Sequence, residues 1–533
     1  MPLDSLLPSP AVVTPGEGAL ILSGSSTLAS DSPAVAALLR ELLAPATGLG
    51  LADTMSADPS MSADPSMSAD PSMSADGSTS SDATIVLSLD PDLGIGPEAY
   101  RLRATPAQVR IEAVSEQGLI WGVQTLRQLL PVEVFRPSRV AGVPWSVPAV
   151  TIEDEPRFAW RGTMLDVGRW YKPVAFLYRT VDLASMHKLN ILHLHLTEDQ
   201  GWRFEVKRYP KLTEVGAWRS ESPLGHDRDN QTDGKRHGGF YTQEQLRDLV
   251  AYAAARGITI VPEIDMPGHM QAAIAAYPEL GNQPDRQLEV ATRWGIMKHV
   301  LNVEESTISF VTDVLDEILD VFPSEFIHIG GDECPKDEWK ASERAQALMR
   351  ERGLTDEREL QSWFITQLDS YLTAKGRRLV GWDEILEGGL APEATVMSWR
   401  GETGGIEAAK AGHDVVMAPN TYVYFDYYQS EDKDTEPIAI GGYLPLSTVW
   451  EYEPVPDALM GDHAEHVLGP QCQLWTEYLP EGADIEYMAY PRSCALAEVA
   501  WGRPDESYDA FLDRLGRHLT RLDLIGVNYR KPH

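Results

Sequence analysis

The chain has 533 residues, and its Lys+Arg 45 against Asp+Glu 80 leave a formal charge of -35, which repels phosphate backbones and anionic lipid and sets aside nucleic acid and membrane as partners. Its length exceeds an ordinary single domain and predicts a large domain with a smaller companion. No apolar run approaches the roughly 18 residues of a membrane span, and Cys334, Cys472 and Cys494 are too few and too scattered for a disulfide framework or a zinc site.

The chain opens Met1-Pro2-Leu3-Asp4, with an acid where a secretory signal carries basic residues. A cytoplasmic location is the expectation, or an extracellular one if a leader has been removed. A helix is predicted over 34–43. Then comes a hexapeptide, Met-Ser-Ala-Asp-Pro-Ser, repeated from Met55 to Ser72 and decaying by residue 78, whose polar, Pro-punctuated composition cannot bury a core and reads as a surface loop. Strands follow at 84–89, 99–103 and 109–113, and a helix at 118–130. This first part, residues 1–150, reads as a small α+β domain closing near the Pro-rich 143–148.

Residues 151–533 change character: short β-rich runs alternate with longer helical patterns. Runs at 162–167, 191–196, 258–264, 326–329, 378–381, 396–399, 414–417 and 471–475 give eight candidate parallel strands. The fold class is therefore α/β, a (β/α)8 TIM barrel with insertions, preceded by the small α+β domain.

Active sites of such barrels assemble at the C-terminal strand ends. There the sequence carries Asp166 and Arg169, with Arg161 at the start of the same run, then Glu198 and Asp199, Asp265 and His269, and Asp332 and Glu333. Trp382 and Asp383, Trp399 and Arg400, Tyr424-Phe425-Asp426, and Trp475-Thr476-Glu477 complete the circuit. Carboxylates converge with aromatic rings, as a sugar requires: its C–H faces pack on rings and its hydroxyls bond to carboxylates. Phosphate sites want glycine-rich loops and cations, and neither a Walker loop nor GxGxxG is present.

His328-Ile329-Gly330-Gly331-Asp332-Glu333 is the most informative segment. Two glycines allow a tight turn beside a ligand, and adjacent carboxyls raise at least one pKa, which suits a general acid at neutral pH. Successive Cα atoms lie about 3.8 Å apart, whereas the acid and nucleophile of ordinary glycosidases flank the scissile bond. Either a second carboxylate comes from another strand, with Asp265, Asp426 and Glu477 as candidates, or the nucleophile belongs to the substrate.

The chain resembles the family 20 glycoside hydrolases, the β-N-acetylhexosaminidases, over essentially its whole length. Six motifs carry the resemblance in order: 160–167, His193 to Trp202, Pro262 to His269, His328 to Glu333, Gly381-Trp382-Asp383-Glu384, and Trp475-Thr476-Glu477. It implies release of terminal β-linked GlcNAc or GalNAc with retention, the substrate's acetamido oxygen attacking to give an oxazolinium ion. It also implies roles. Glu333 would be acid and then base, Asp332 would orient the acetamido N–H, and Tyr424 would bond the acetamido oxygen. Trp382, Trp399 and Trp475 would wall the pocket, and Arg161, Glu477 and Asp426 would hold outer hydroxyls. Asp199 and His269 would form a supporting pair with Asp265 beside them. The partner implied is a carbohydrate ending in N-acetylhexosamine, with no cofactor and no metal. A disaccharide-releasing relative or an inactive carbohydrate binder are the alternatives.

One departure from the family pattern is the stretch Ile438 to Tyr443, where many relatives carry a further ring; Trp450 is the replacement considered. His193-x-His195 puts two imidazoles on one side of a strand, but no third ligand follows at suitable spacing. Cys334 reads as a packed thiol.

Overall fold

The computed structural model describes residues 2–53, 83–502 and 504–532. The hexapeptide repeat falls outside them. The chain divides into two compact units, Met1–Pro156 with Pro504–Gly526, and Arg157–Arg503 with Val527–His533. The expected boundary at residue 150 is therefore displaced: a continuous strand, Trp145–Asp154, crosses it, and a late helix, Tyr508–Leu524, returns to the first unit.

The smaller unit is a seven-stranded mixed sheet with helices Pro33–Thr47 and Glu116–Leu129. The first helix starts where Ser32 accepts the Val35 N–H and Pro33 occupies the first turn, and it stops at Gly48 with a left-handed φ of 70°. The predicted strands at 84–89, 99–103 and 109–113 all form, but Val12–Leu22 and Trp145–Asp154, which pair antiparallel, were not expected. Both contain proline, and the pairing between them is irregular between Pro15 and Ala19.

The larger unit is a closed parallel barrel. Its strands are β1 (Gly162–Asp166), β2 (Ile191–His195), β3 (Thr259–Glu263), β4 (Phe326–His328), β5 (Arg378–Trp382), β6 (Thr395–Ser398), β7 (Val415–Met417) and β8 (Val467–Leu474). Each pairs with its neighbours in chain order, and β8 closes on β1 through Gln471 to Leu474 opposite Gly162 to Leu165. All eight overlap the predicted runs, with β8 beginning four residues earlier, at Val467. Among the described residues no helix is long and apolar enough to cross a membrane.

Candidate active site

The turns after the strands are fixed by buried carboxylates. Asp166, at the end of β1, accepts the backbone N–H groups of Gly168 at 2.8 Å, Arg169 at 3.0 Å and Thr476 at 3.1 Å, bracing the loops after β1 and β8 together. Asp265, after β3, accepts the Gly331 N–H at 3.2 Å. Gly330 makes that approach possible: a Cβ there would lie 1.7 Å from Asp265 Oδ1, and its φ is +69°. The Gly-Gly pair thus lays the loop after β4 against the loop after β3.

The two residues this brings face to face share an unusual backbone. His269 has φ +52° and Glu333 φ +44°, left-handed values that cost a non-glycine residue of the order of 1 kcal/mol and persist where surrounding structure imposes them. His269 Nε2 lies 3.6 Å from Glu333 Oε2 and 3.7 Å from Asp332 Oδ2. Its Nδ1 faces Glu198 at 3.1 Å and Asp199 at 3.4 Å. Burial works against a charged imidazole, but Glu198 and Asp199 outweigh it and hold the His269 pKa well above its ordinary value. The expected Asp199–His269 pair is present, with Glu198 as an additional partner.

Glu333 is the accessible member of the acidic pair, with its side chain 33% exposed, whereas Asp332 is buried. Burial lifts the Asp332 carboxyl above the usual range; Glu263 and Glu333 add to the rise and His269 opposes it.

Aromatic rings flank this pair. Trp382 packs on Trp475 with centroids 5.7 Å apart, and Trp399 stacks on Tyr424 at 6.0 Å. The Tyr424 backbone bridges to Gln473 in β8. Beyond Trp475 lie Asp426, Glu477 and Arg169. The Arg169 guanidinium sits 4.9 Å over the Trp475 ring, 2.5 Å from Glu198, 3.4 Å from Asp166 and 3.9 Å from Glu477. Burial raises the Asp426 and Glu477 carboxyls; Glu477 adds to the rise at Asp426, while Arg169 opposes both. Among the described residues, Asp332 Oδ1, Asp426 Oδ1, Glu477 Oε2 and His269 Nε2 are all buried without a hydrogen-bond partner. Buried polar atoms are nearly always paired, so such a cluster marks where a polar ligand docks.

One assigned residue is misplaced. Arg161 precedes β1 at the N-terminal end of the barrel, fully buried, with Nη1 donating to the Phe158 carbonyl at 2.7 Å and Nε to the Lys188 carbonyl at 2.9 Å. It belongs to the floor; Arg169, beside Glu198, Glu477 and the Trp475 ring, is the arginine at the mouth. Trp450 is buried on the helix Leu446–Glu451, which packs on Arg492–Trp501, whereas Tyr443 is exposed in the loop where a ring was missing. Burial pushes the Cys334 thiol up to about 11, away from nucleophilic character. The further groups that His193-x-His195 lacked in sequence do exist in space: Glu263 and His328 lie beside His193. An indole N–H, that of Trp382, also donates into that Glu263 carboxylate at 2.9 Å.

The family description for the glycosyl hydrolase family 20 catalytic domain matches residues 158–504, and that for family 20 domain 2 matches residues 4–155. A β-hexosaminidase of Porphyromonas gingivalis is 44% identical across 99% of this chain, which spans 64% of that protein's length. A β-hexosaminidase of Vibrio furnissii is 39% identical over 78% of this chain and 67% of its own. Among solved structures, the N-acetyl-β-hexosaminidase of Streptomyces plicatus in complex with Thio-NAglucal superposes with a TM-score of 0.83 at 30% identity, over 100% of this chain and 97% of that one. The exo β-N-acetylglucosaminidase of Vibrio harveyi in complex with N-acetylglucosamine gives 0.84 at 32% identity, over 100% and 79%.

Proposed function

The chain belongs to glycosyl hydrolase family 20, and from that premise we propose that it is an exo-acting, retaining β-N-acetylhexosaminidase that removes terminal β-linked GlcNAc or GalNAc. The observation that carries this reading is the pairing of buried Asp332, its Oδ1 unpartnered, with accessible Glu333 beside it. Only one of the two can reach the leaving group, so the other is left to act on the substrate's own 2-substituent.

In the first step the acetamido oxygen attacks C1 while the bond from C1 to the leaving oxygen breaks. The Glu333 proton goes to that oxygen. Asp332 accepts the acetamido N–H and balances the positive charge of the resulting oxazolinium ion, Tyr424 donates its O–H to the acetamido oxygen, and Trp382, Trp399 and Trp475 enclose the methyl group and the ring. In the second step Glu333 takes a proton from water as the water attacks C1, and the ring opens to the acetamide. Two inversions give net retention. His269, held by Asp199 and Glu198, keeps a charge-bearing nitrogen toward Glu333, and Asp265 holds the turn that carries both acidic residues. Arg169, Glu477 and Asp426 take the hydroxyls farthest from the scissile bond.

The test is a comparison of glycosides. A chromogenic β-GlcNAc glycoside should be cleaved and the matching β-glucoside, without the acetamido group, should be a very poor substrate. A thiazoline analogue of the cyclic intermediate should bind far tighter than GlcNAc, as transition-state-like ligands do. Equal cleavage of both glycosides, or a sugar trapped on Asp265, Asp426 or Glu477, would replace this reading with an ordinary double displacement.

The reassignment of the mouth arginine makes its own prediction. Arg169→Lys keeps a charge but cannot span Glu198, Asp166 and Glu477, so KM should rise by about tenfold, the value of one lost charge-assisted bond. Arg161→Lys should lower the melting temperature and leave KM alone. Steady-state kinetics with thermal melts separates the two, and the opposite pattern would restore Arg161 to the site.

A further inference from the structure

Glu263, the last residue of β3, is fully buried inside the barrel and has no part in the mechanism above. Four side chains meet its carboxylate. His193 Nε2 is 2.9 Å from Oε2, and His195 Nδ1 bonds the same oxygen. His328 Nδ1 is 3.0 Å from Oε1, and the Trp382 indole donates to Oε1 at 2.9 Å. Two of these partners lead outward. Trp382 is the most buried of the pocket walls, 1% exposed. His195 Nε2 lies 3.4 Å from Glu198 Oε1, Glu198 Oε2 lies 3.1 Å from His269 Nδ1, and His269 faces Glu333. One carboxylate thus begins two lines of contact, one ending at a pocket wall and the other at the accessible acid.

Of the two remaining partners, His328 also accepts the Gly330 N–H on its Nδ1 at 3.0 Å, and His193 is of a different kind. The Trp160 indole donates to Gln471 Oε1 at 3.0 Å, which turns the Gln471 amide N–H toward His193 Nδ1, also 3.0 Å away. His193 therefore carries its proton on Nε2, toward Glu263, and is neutral; burial, against the pull of Glu263, brings its pKa down to about 4. His195 is the opposite case: burial disfavours its charge, but Glu263 and Glu198 hold its pKa well above normal. Its other charged surroundings are Asp166 and Asp265, with His193 on the same strand, while Arg169 and His269 hold Glu198 ionised against burial. The line from the core alternates in sign, from Glu263 to His195, Glu198 and His269, whose Nε2 faces Glu333.

We infer that Glu263 is a positioning residue with two separable outputs: through the Trp382 indole it fixes the wall that sizes the N-acyl group, and through His195 and Glu198 it sets the charge seen by His269 and Glu333. The inference rests on the hexosaminidase reading and adds to it a residue that touches no substrate.

The outputs can be separated because glutamine keeps an acceptor and loses the charge. In Glu263→Gln the Oε1 atom still accepts from Trp382, so the ratio of kcat/KM for N-acetyl and N-propanoyl nitrophenyl glycosides should stay at the wild-type value. His195, without its principal counter-ion, loses much of its charge, and Glu198 loses that cation at 3.4 Å while keeping Arg169 and His269. The field at Glu333 grows more negative, its proton is held more tightly, and the basic limb of kcat/KM against pH moves to higher pH. His195→Gln, which leaves Glu263 in place, should move the limb the same way. Glu263→Met, with neither charge nor acceptor, should move the limb and also lower the preference for N-acetyl, since the indole is released. Folded variants that lose activity uniformly, with the limb and the acyl ratio both at wild-type values, would overturn the inference, as would a Glu263→Met protein with an unchanged ratio. If Glu263→Met fails to fold, Glu263→Gln and His195→Gln alone decide the charge output, and Trp382→Phe, which removes the N–H, decides the other by its acyl ratio at an unmoved limb. A wild-type protein inactive on the N-acetyl glycoside would instead refute the hexosaminidase reading.

Discussion

Glu333→Gln should lower turnover of glycosides with unactivated sugar leaving groups by at least ~10²-fold, the usual scale of general acid catalysis. The amide keeps the size and the left-handed backbone of the residue but has no transferable proton. His269, 3.6 Å away, offers no substitute, because its Nδ1 is bound to Glu198 and Asp199 and its charge is held there. Activated leaving groups need little protonation, so the deficit should shrink with nitrophenolate at the cleavage step while water attack, which needs Glu333 as base, still limits the steady state. Near-normal turnover of natural linkages by a folded Glu333→Gln protein would remove Glu333 from the role.

Asp332→Asn should behave in the reverse way. Its side chain is buried, with one oxygen 3.7 Å from His269 and the other unpartnered, and it lies back from the accessible Glu333 carboxyl. Its loss removes the acceptor for the acetamido N–H and the countercharge for the oxazolinium ion, both needed before any bond to the leaving group breaks. The expected loss, of the order of 10²-fold or more by analogy with removal of one preorganised electrostatic contact, should persist with nitrophenolate. Pre-steady-state release of nitrophenolate from the two variants checks this: a burst from Glu333→Gln and none from Asp332→Asn supports the division, equal bursts mean the roles are not divided, and a faster burst from Asp332→Asn means they are exchanged.

The barrel could be read from sequence because its strands are short apolar runs that end in charged or aromatic residues, and the strand ends lie on one face by topology. Arg161 went astray for a related reason. Five residues separate it from Asp166, which in a list of motifs looks adjacent, but a strand rises about 3.3 Å per residue, so the two lie at opposite ends of β1, roughly 16 Å apart. Arg169, three residues after Asp166, turns back over Trp475. Of the four strands of the smaller unit that were not expected, Thr27–Ser30 and Ala52–Asp53 are only four and two residues long, and the other two carry Pro15 and Pro148, which removes ladder donors and argues locally against a strand; the pairing along Val12–Leu22 and Trp145–Asp154 supplies what local propensity does not. Glu263 and His195 were invisible as a pair for another reason: 68 positions separate them, and only the neighbouring of β2 and β3 brings them together.

The late helix Tyr508–Leu524 gives the smaller unit a core that is discontinuous along the chain. It contributes Phe511, Leu515 and Leu522, all fully buried, while Arg514 donates to the Leu6 carbonyl at 2.9 Å and Arg521 to Ser5 Oγ at 2.7 Å. A ribosome delivers the sheet of that unit first and its closing helix only after all eight barrel strands have emerged. The usual order, in which the N-terminal domain folds while the rest is being made, would here leave that unit without its last helix. The apolar surface that Phe511, Leu515 and Leu522 cover therefore stays bare until the chain beyond the eighth barrel strand has been made.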